Sequence, residues 1–286
     1  MAQITATEAS PAIREIWRLT ALKALFAKMV AKNRILSVTE EISQMGDIVH
    51  IKINPTPTVG DITAATGAFT AEAVTITNAD ITINKWKYVA HDVVDIADIQ
   101  SDIDLYNNFS QAFMPALGEQ IDTDILALQS SLTTNAAIGD STTGEAFGDN
   151  IILPASLILD DLKISMEDRS WIVPPVARTQ LLKQDKWVDA DKMGFDESAK
   201  TTGFSGGLDL FGTPMYISPL VVTSGSLRKA ILFHREAMGV GIQRNINIEK
   251  FARTQFSTPF AGSVLYGVGV VRNNHGQVCN IKSTLV

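Results

Sequence analysis

Residues 101–132 read SDIDLYNNFSQAFMPALGEQIDTDILALQSSL. Ile103, Tyr106, Phe109, Phe113, Leu117, Ile121, Ile125, Leu128 and Leu132 recur at steps of three or four. One face of a helix is therefore apolar along its whole length. Ser101 with Asp104 three places on has the form of a capping box, and acids in a first turn suit the helix dipole. At 1.5 Å per residue the helix would be roughly 48 Å long. Pro115 removes a backbone donor in mid-pattern, which predicts a kink or two abutting helices. In a chain otherwise rich in Thr, Val, Ile and Gly, this helix is expected to be a spine.

The 286 residues are enough for a large core, as one domain or two lobes. Hydrophobic content of 45% with 19% charged residues excludes wholesale disorder. A net charge of −7 argues against a protein whose main task is to coat nucleic acid. The single cysteine, Cys279, excludes an internal disulfide and a multi-thiolate metal site. No stretch reaches ~18 uninterrupted apolar residues, so no membrane span is expected. Arg14, Arg18, Lys23 and Lys28 interrupt any signal-peptide block, and the expectation is a soluble intracellular product.

On the N-terminal side of the spine, residues 10–34 open with Ser10 and Pro11, a helix start signal. Ile13, Ile16, Trp17, Leu22, Leu25, Phe26 and Met29 form an apolar stripe. Arg14, Arg18, Lys23, Lys28, Lys32 and Arg34 stand against only Glu8 and Glu15, so this helix is basic in an acidic chain. It is either a solvated face or a face turned toward an anionic partner.

From residue 47 the period becomes two. Residues 47–53 alternate as a strand that Pro55 and Pro57 end, and strand pattern returns at Val74, Ile76, Ile81 and Ile83 and runs on to Val89. Between them lie mostly Thr, Ala and Gly, with Phe69 the only large ring. The pattern describes a long two-stranded arm. An isolated ribbon is marginal in water, so the arm is expected to lie on a neighbouring subunit through Ile48, Ile51, Ile53, Phe69, Val74, Ile76, Ile81, Ile83 and Trp86.

Beyond the spine, residues 133–150 are a long loop of small polar residues. A helix over 155–169 is expected from Leu157, Leu159, Leu162 and Met166. A short strand 171–173 and a helix opened by Pro175 come next. Strands follow at 215–217, 230–234 and 246–248, and residues 262–282 read as two strands around the hairpin signal NNHG, 273–276. The segregated elements indicate α+β.

No catalytic constellation emerges. GFSGG at 203–207 fits a nucleophile-elbow pattern around Ser205, but a polar stretch precedes it where a core strand is required. Asp92, Asp95, Asp98, Asp102 and Asp104 lack the glycine of a calcium loop and read as helix-start acids. His50, His91, His234 and His275 are scattered, and Trp86 and Trp187 read as packing or interface residues. No catalytic, cofactor or metal residue is assigned.

The order of parts resembles the major capsid proteins of tailed bacteriophages, the Hong Kong 97-type fold, over nearly the whole chain. The strings that carry it are KWKYVAHDVVDI (85–96) leading into the spine, IVPPVARTQLL (172–182), GTPMYIS (212–218) and ILFHREA (231–237). The resemblance implies an N-terminal arm (1–46), an extended loop (47–90) and a peripheral domain with the spine (91–150). An axial domain (151–245) and return strands to the peripheral domain (246–286) complete it. It implies a structural virion subunit that is not an enzyme and uses no cofactor. Such a subunit self-assembles as hexamers and pentamers in the host cytoplasm and meets portal, scaffolding and decoration proteins. Packaged double-stranded DNA would be touched only non-specifically, by Arg14, Arg18, Lys23, Lys28, Lys32 and Arg34 on the lumen side. Residues 56–73 hold no lysine, so the loop-lysine cross-link of some relatives is not expected. With Met1 almost directly before the arm helix, scaffolding, if the shell needs it, is expected to be a separate protein or already removed. An encapsulin-like cellular compartment shares the fold and stays open as an alternative, as does a serine hydrolase built on Ser205.

Overall fold

The computed structural model describes residues 27–39, 47–62, 69–94, 105–184, 208–252 and 256–284 (backbone alone at 105–108 and 208–209). Among these residues, two sheets, three helices and a separate ribbon form an α+β arrangement.

The spine is helix α1, Leu105–Ala127, closed by a 3₁₀ turn at Leu128–Ser131. Its 23 residues span about 35 Å, and residues 101–104, with the expected capping box, lie outside the described residues. The helix runs unbroken through Pro115, so of the two outcomes expected there, a kink or two abutting helices, the second does not occur. Pro115 is on the exposed side, where water can serve the carbonyl its missing N–H leaves free. The apolar face is buried from Phe113 through Leu117 and Ile121 to Ile125, whereas Phe109 remains 41% exposed.

This face packs on a four-stranded sheet ordered β1-β10-β11-β4: β1 is Leu36–Ser37, β4 Lys85–Val94, β10 Met238–Lys250 and β11 Ser257–Val270. β1 runs parallel to β10 and the other pairs are antiparallel. Leu117, Ile121 and Ile125 meet Ile242, Val264 and Tyr266 in one buried cluster.

The second sheet is ordered β12-β9-β5-β7-β6, with β8 also on β9. Here β5 is Arg169–Val173, β6 Leu208–Leu210, β7 Thr213–Ile217, β8 Thr223–Ser224, β9 Leu227–His234 and β12 Gly276–Lys282. β5 is wholly buried and carries Trp171 and Val173 into a core with helices α2, Asp149–Asp161, and α3, Pro175–Leu182. Pro174 caps α3 and Pro175 opens it, as the sequence indicates.

Four expectations need correction. The helix expected over 155–169 is α2, six residues earlier, and its buried face is Ile151, Ile152, Ala155 and Leu159. Lys163 at φ 58° stops it, so Met166 lies beyond the helix, and Leu157, Leu162 and Met166 are exposed. The terminal strands are not a hairpin: β11 joins the spine's sheet while β12 pairs with β9 in the other sheet. The strand expected over 74–89 is two strands, β3 (Thr77–Thr82) and β4, which separate at Ile83 and belong to different sheets. The helix expected over 10–34 does not reach Arg34: residues 27–31 have no helix, and Lys32–Arg34 is a single 3₁₀ turn.

The long loop after the spine has a structural reason. Ile138 and Glu145 make parallel bridges to Cys279 and Ile281, exchanging backbone hydrogen bonds of 2.7–3.1 Å with Val278, Asn280 and Lys282. The loop thus lines the outer edge of β12.

Candidate assembly surface

The ribbon is β2, Ile48–Ile53, paired antiparallel with β3 from Ile48↔Thr82 to Ile53↔Thr77. Strand alternation sends Val49, Ile51 and Ile53 inward, where they pack around Val38, Ile81, Ile83 and Val271. Of the residues expected to meet a neighbour, Ile81 and Ile83 are therefore buried in their own chain, and Ile51 and Ile53 are half-buried there. They root the ribbon. Gly267 on β11 makes the root possible, because a Cβ there would stand 2.2 Å from the Thr82 carbonyl oxygen. The opposite face carries Ile48, His50 and Lys52, and His50 Nδ1 lies 2.6 Å from Asp80 Oδ1.

Beyond the root the chain is extended and open to solvent. Residues 54–62 and 69–76 are exposed and have no regular structure. Val59 is 96%, Phe69 77% and Val74 67% exposed, with Ile62 and Ile76 also open. Thr58 donates through its backbone N–H and its hydroxyl to the Glu72 carboxylate, at 2.9 and 3.2 Å, and ties the two sides together.

The four-stranded sheet has the ribbon's root on one face, at Gly239, Gly267 and Gly269, and among the described residues leaves the rest of that face open around Trp86. α1 covers the other, where His91 lies among Phe109, Phe113 and Phe260, and Phe113 stacks on Phe260 at 5.3 Å. On the open face Trp86 and Tyr88 of β4 stand beside Ala90, Ala261 and Ser263, with Phe251 beyond. Small residues between large rings make a cleft of about 620 Å³, rimmed by the Arg244–Glu249 ion pair at 2.9 Å. Trp86 is 69% and Tyr88 73% exposed. Exposed rings grouped in this way are typical of surfaces that bind something else.

The spine also holds the N-terminal segment. Asp122 is fully buried and accepts the backbone N–H groups of Val30, Ala31 and Lys32, the last two at 3.0 Å. Glu119, one turn earlier, accepts from Ala27 N–H. These carboxylates replace the hydrogen bonds that a helix over 27–31 would have made. Neither acid stands out in the sequence, since both read as the polar side of the spine.

Asp124 joins spine to sheet: Tyr266 donates to it at 2.6 Å, and Lys85 lies 3.0 Å away. Burial alone would raise its pKa, but the Tyr266 hydrogen bond and Lys85 outweigh burial and hold it below the usual value of 3.8. Burial, then the Asp124 contact, pushes the Tyr266 phenol well above its ordinary range.

Of the basic face, Arg14, Arg18 and Lys23 lie outside the described residues. Lys28 is exposed, Lys32 half-buried, and Arg34 lies over the Tyr216 ring at 4.3 Å. Ser205, Trp187, Asp95, Asp98, Asp102 and Asp104 also lie outside them. Among the described residues no group of three His, Cys, Asp or Glu side chains is placed to hold a metal, and no helix is long and apolar enough to cross a membrane. Cys279 is buried, and burial pushes its thiol far above the ordinary range.

No protein-family model and no curated protein sequence matches the chain. Solved structures do. One of Mycobacterium phage Che8 is 24% identical with a TM-score of 0.76, over 93% of this chain and 96% of that one. The capsid structure of the cyanophage P-SCSP1u is 15% identical with a TM-score of 0.78, over 99% and 97%. The mature capsid of bacteriophage PhiM1 is 16% identical with a TM-score of 0.68, over 96% and 93%. At such identities what is shared is the chain path, from ribbon through spine to both sheets, and this chain therefore has the fold of phage capsid chains.

Proposed function

We propose that the chain is the structural subunit of an icosahedral virion shell of the Hong Kong 97 type, closing as hexamers and pentamers around a phage genome, and not an enzyme. The observation that carries the reading is a pair of apolar surfaces that the chain leaves open. One is the extended arm with Val59, Ile62, Phe69, Val74 and Ile76; the other is the sheet face with Trp86 and Tyr88. Ordering the arm costs on the order of 1 to 2 kcal/mol of backbone entropy per residue. Its described side chains, 54% to 96% exposed from Ile76 to Val59, recover little within their own subunit, so a neighbouring copy is the natural place for them to be buried. The likeness to capsid chains over nearly full length supports the same reading.

In this proposal residues 1–46 are the N-terminal arm, 47–90 the extended loop, 91–150 the peripheral part with the spine and 151–245 the axial part. Of 246–286, β11 returns to the spine's sheet and β12 is counted with the axial sheet to which it pairs. Arg14, Arg18, Lys23, Lys28, Lys32 and Arg34 face the lumen, toward scaffold or double-stranded DNA, and portal and decoration proteins are further partners.

Replacing residues 56–73 by a short Gly-Ser turn tests the reading. Circular dichroism should report an intact fold, and electron microscopy should find no particles where the full chain gives shells. Normal shells from the shortened chain would refute the arm's role. A full chain that stays monomeric across salt and concentration would refute the shell subunit itself.

A further inference from the structure

Residues 54–61 of the arm read NPTPTVGD, and all of them are exposed. Side chains alternate along an extended chain, so Pro55, Pro57, Val59 and Asp61 share one face and Asn54, Thr56, Thr58 and Gly60 the other. The first face is apolar and ends in a carboxylate; the second suits water. The backbone is fitted for burial as well. Pro55 and Pro57 have no N–H to desolvate, and the Thr58 N–H is held by Glu72 at 2.9 Å. These same features leave the segment poor in donors for pairing at a strand edge, because alternate N–H groups point to one side. Such a segment is suited to lie on the face of a sheet.

The open part of the four-stranded sheet repeats the same spacing. Trp86, Tyr88 and Ala90 stand two residues apart on β4. Across β11, Arg244 is level with Trp86, Asn247 with Tyr88 and Glu249 with Ala90. Phe251 lies one step further, its N–H bonded to the Pro259 carbonyl, and Pro259 is level with Asp92. Successive rows are about 6.6 Å apart, and an extended segment advances nearly as far in two residues, so it keeps step over all four. At the Ala90 row the floor of the cleft is only Ala90 and Ala261, with large rings to either side. The indole N–H of Trp86, the Tyr88 hydroxyl and the Arg244 guanidinium are donors, whereas a segment with two prolines offers chiefly carbonyl acceptors.

We propose that residues 54–61 of a second copy lie in this cleft and run opposite to β4. Pro55 is then beside Phe251, Pro57 over Ala90 and Ala261, Val59 beside Tyr88, and Asp61 at Arg244. Resting on the shell subunit already proposed, this pairing names the surface that receives the arm. Charge sets the direction. Asp61 is the only ionised side chain of the segment, and Arg244 is the only cation among the described residues that line the cleft. Run the other way, the segment would bring Asp61 to Phe251 and Asp92, next to the Glu249 carboxylate. Small size sets the step: the ring of Pro57 fits above two alanines, where a larger side chain would be lifted off. Within its own chain the segment is exposed throughout, so the pairing is between copies.

The test puts Pro57→Cys and Ala90→Cys together in the full chain. Both positions are exposed, whereas Cys279 is buried and does not compete. Particles and concentrated free chain are oxidised mildly and run on non-reducing denaturing gels. A ladder of covalent multimers that reductant collapses is expected, because a disulfide forms only between closely apposed residues. Thr56→Cys with Ala90→Cys is one residue out of step, so its thiol turns to the other face and cross-linking should slow by about tenfold or more. A monomer band alone in both preparations overturns the docking, as does a cross-link closed within one chain or an equal rate from Thr56→Cys. Particles without a ladder overturn the docking and leave the shell subunit standing; a ladder from free chain that never forms particles does the reverse. Should the double substitution disturb folding, Pro57→Cys and Ala90→Cys in separate chains, mixed before oxidation, should give a disulfide-linked dimer, and its absence overturns the proposal.

Discussion

Replacing Asp122 by alanine should release the N-terminal segment from the spine without unfolding the sheets. The buried carboxylate holds three backbone N–H groups, those of Val30, Ala31 and Lys32, and Ala31 and Ile35 on either side are buried. Each net bond contributes at least about 1 kcal/mol, and hydrogen bonds to a charged acceptor run higher, so the loss is roughly 3 kcal/mol or more. At about 1.4 kcal/mol per decade, the segment's open population rises about 100-fold. Trypsin reports this directly, because Lys32 and Arg34 lie in the held segment. Where opening and closing outpace cleavage, the cutting rate follows the open population and should rise by the same factor. Asp122→Asn keeps one acceptor oxygen and turns an amide toward the remaining donor, so its effect should fall between parent and alanine. A rise of less than about fivefold in the alanine variant, with the fold intact by circular dichroism, would refute the assignment of Asp122 as the anchor.

Further outcomes follow from the same packing. Gly267→Ala drives a methyl into the Thr82 carbonyl and should lift the ribbon from β11, read as faster amide exchange over 77–82 with the spine unaffected. Phe113→Ala removes the ring stacked on Phe260 and should cost about 3 to 5 kcal/mol in chemical denaturation. Tyr266→Phe should cost about 1 kcal/mol at neutral pH. Because the Asp124 pKa is depressed, its stabilisation is present above 3.8 and lost as pH falls through the native value; without Tyr266 that loss should begin at a higher pH in thermal melts. Changing Arg14, Arg18, Lys23 and Lys28 to Gln should impair filling of particles more than folding; particles that fill normally would sink the lumen-facing assignment.

The spine, the strand pair of the arm, and the Pro175 helix were legible because local periodicity and proline chemistry determine them. The arm's openness was legible too, since a run of small residues cannot bury itself. What was not legible depends on pairings far apart in the chain. Nothing near residue 83 announces that β3 and β4 part into different sheets, because both halves carry the same alternation. The placement of α2 misled because the apolar spacing of Leu157, Leu159, Leu162 and Met166 runs past the helix, whereas Gly148 and Lys163 set the ends. The anchor at Asp122 was invisible because its partners are backbone groups some ninety residues away, with no side-chain signature. The open face around Trp86 and Tyr88 needed three strands in register, and only Trp86 was singled out beforehand.

The position of β12 has a consequence for synthesis. β12 is the last described strand, yet it supplies Cys279 and Ile281 to the core under α2 and the rail along which residues 138–145 lie. While residues 276–282 are still in the ribosome, β9 has a bare edge and the loop after the spine has nothing to bind. The second sheet is completed only once translation has passed them, well after the ribbon and spine have emerged. The nascent chain thus presents its sticky ribbon early and its finished second sheet late.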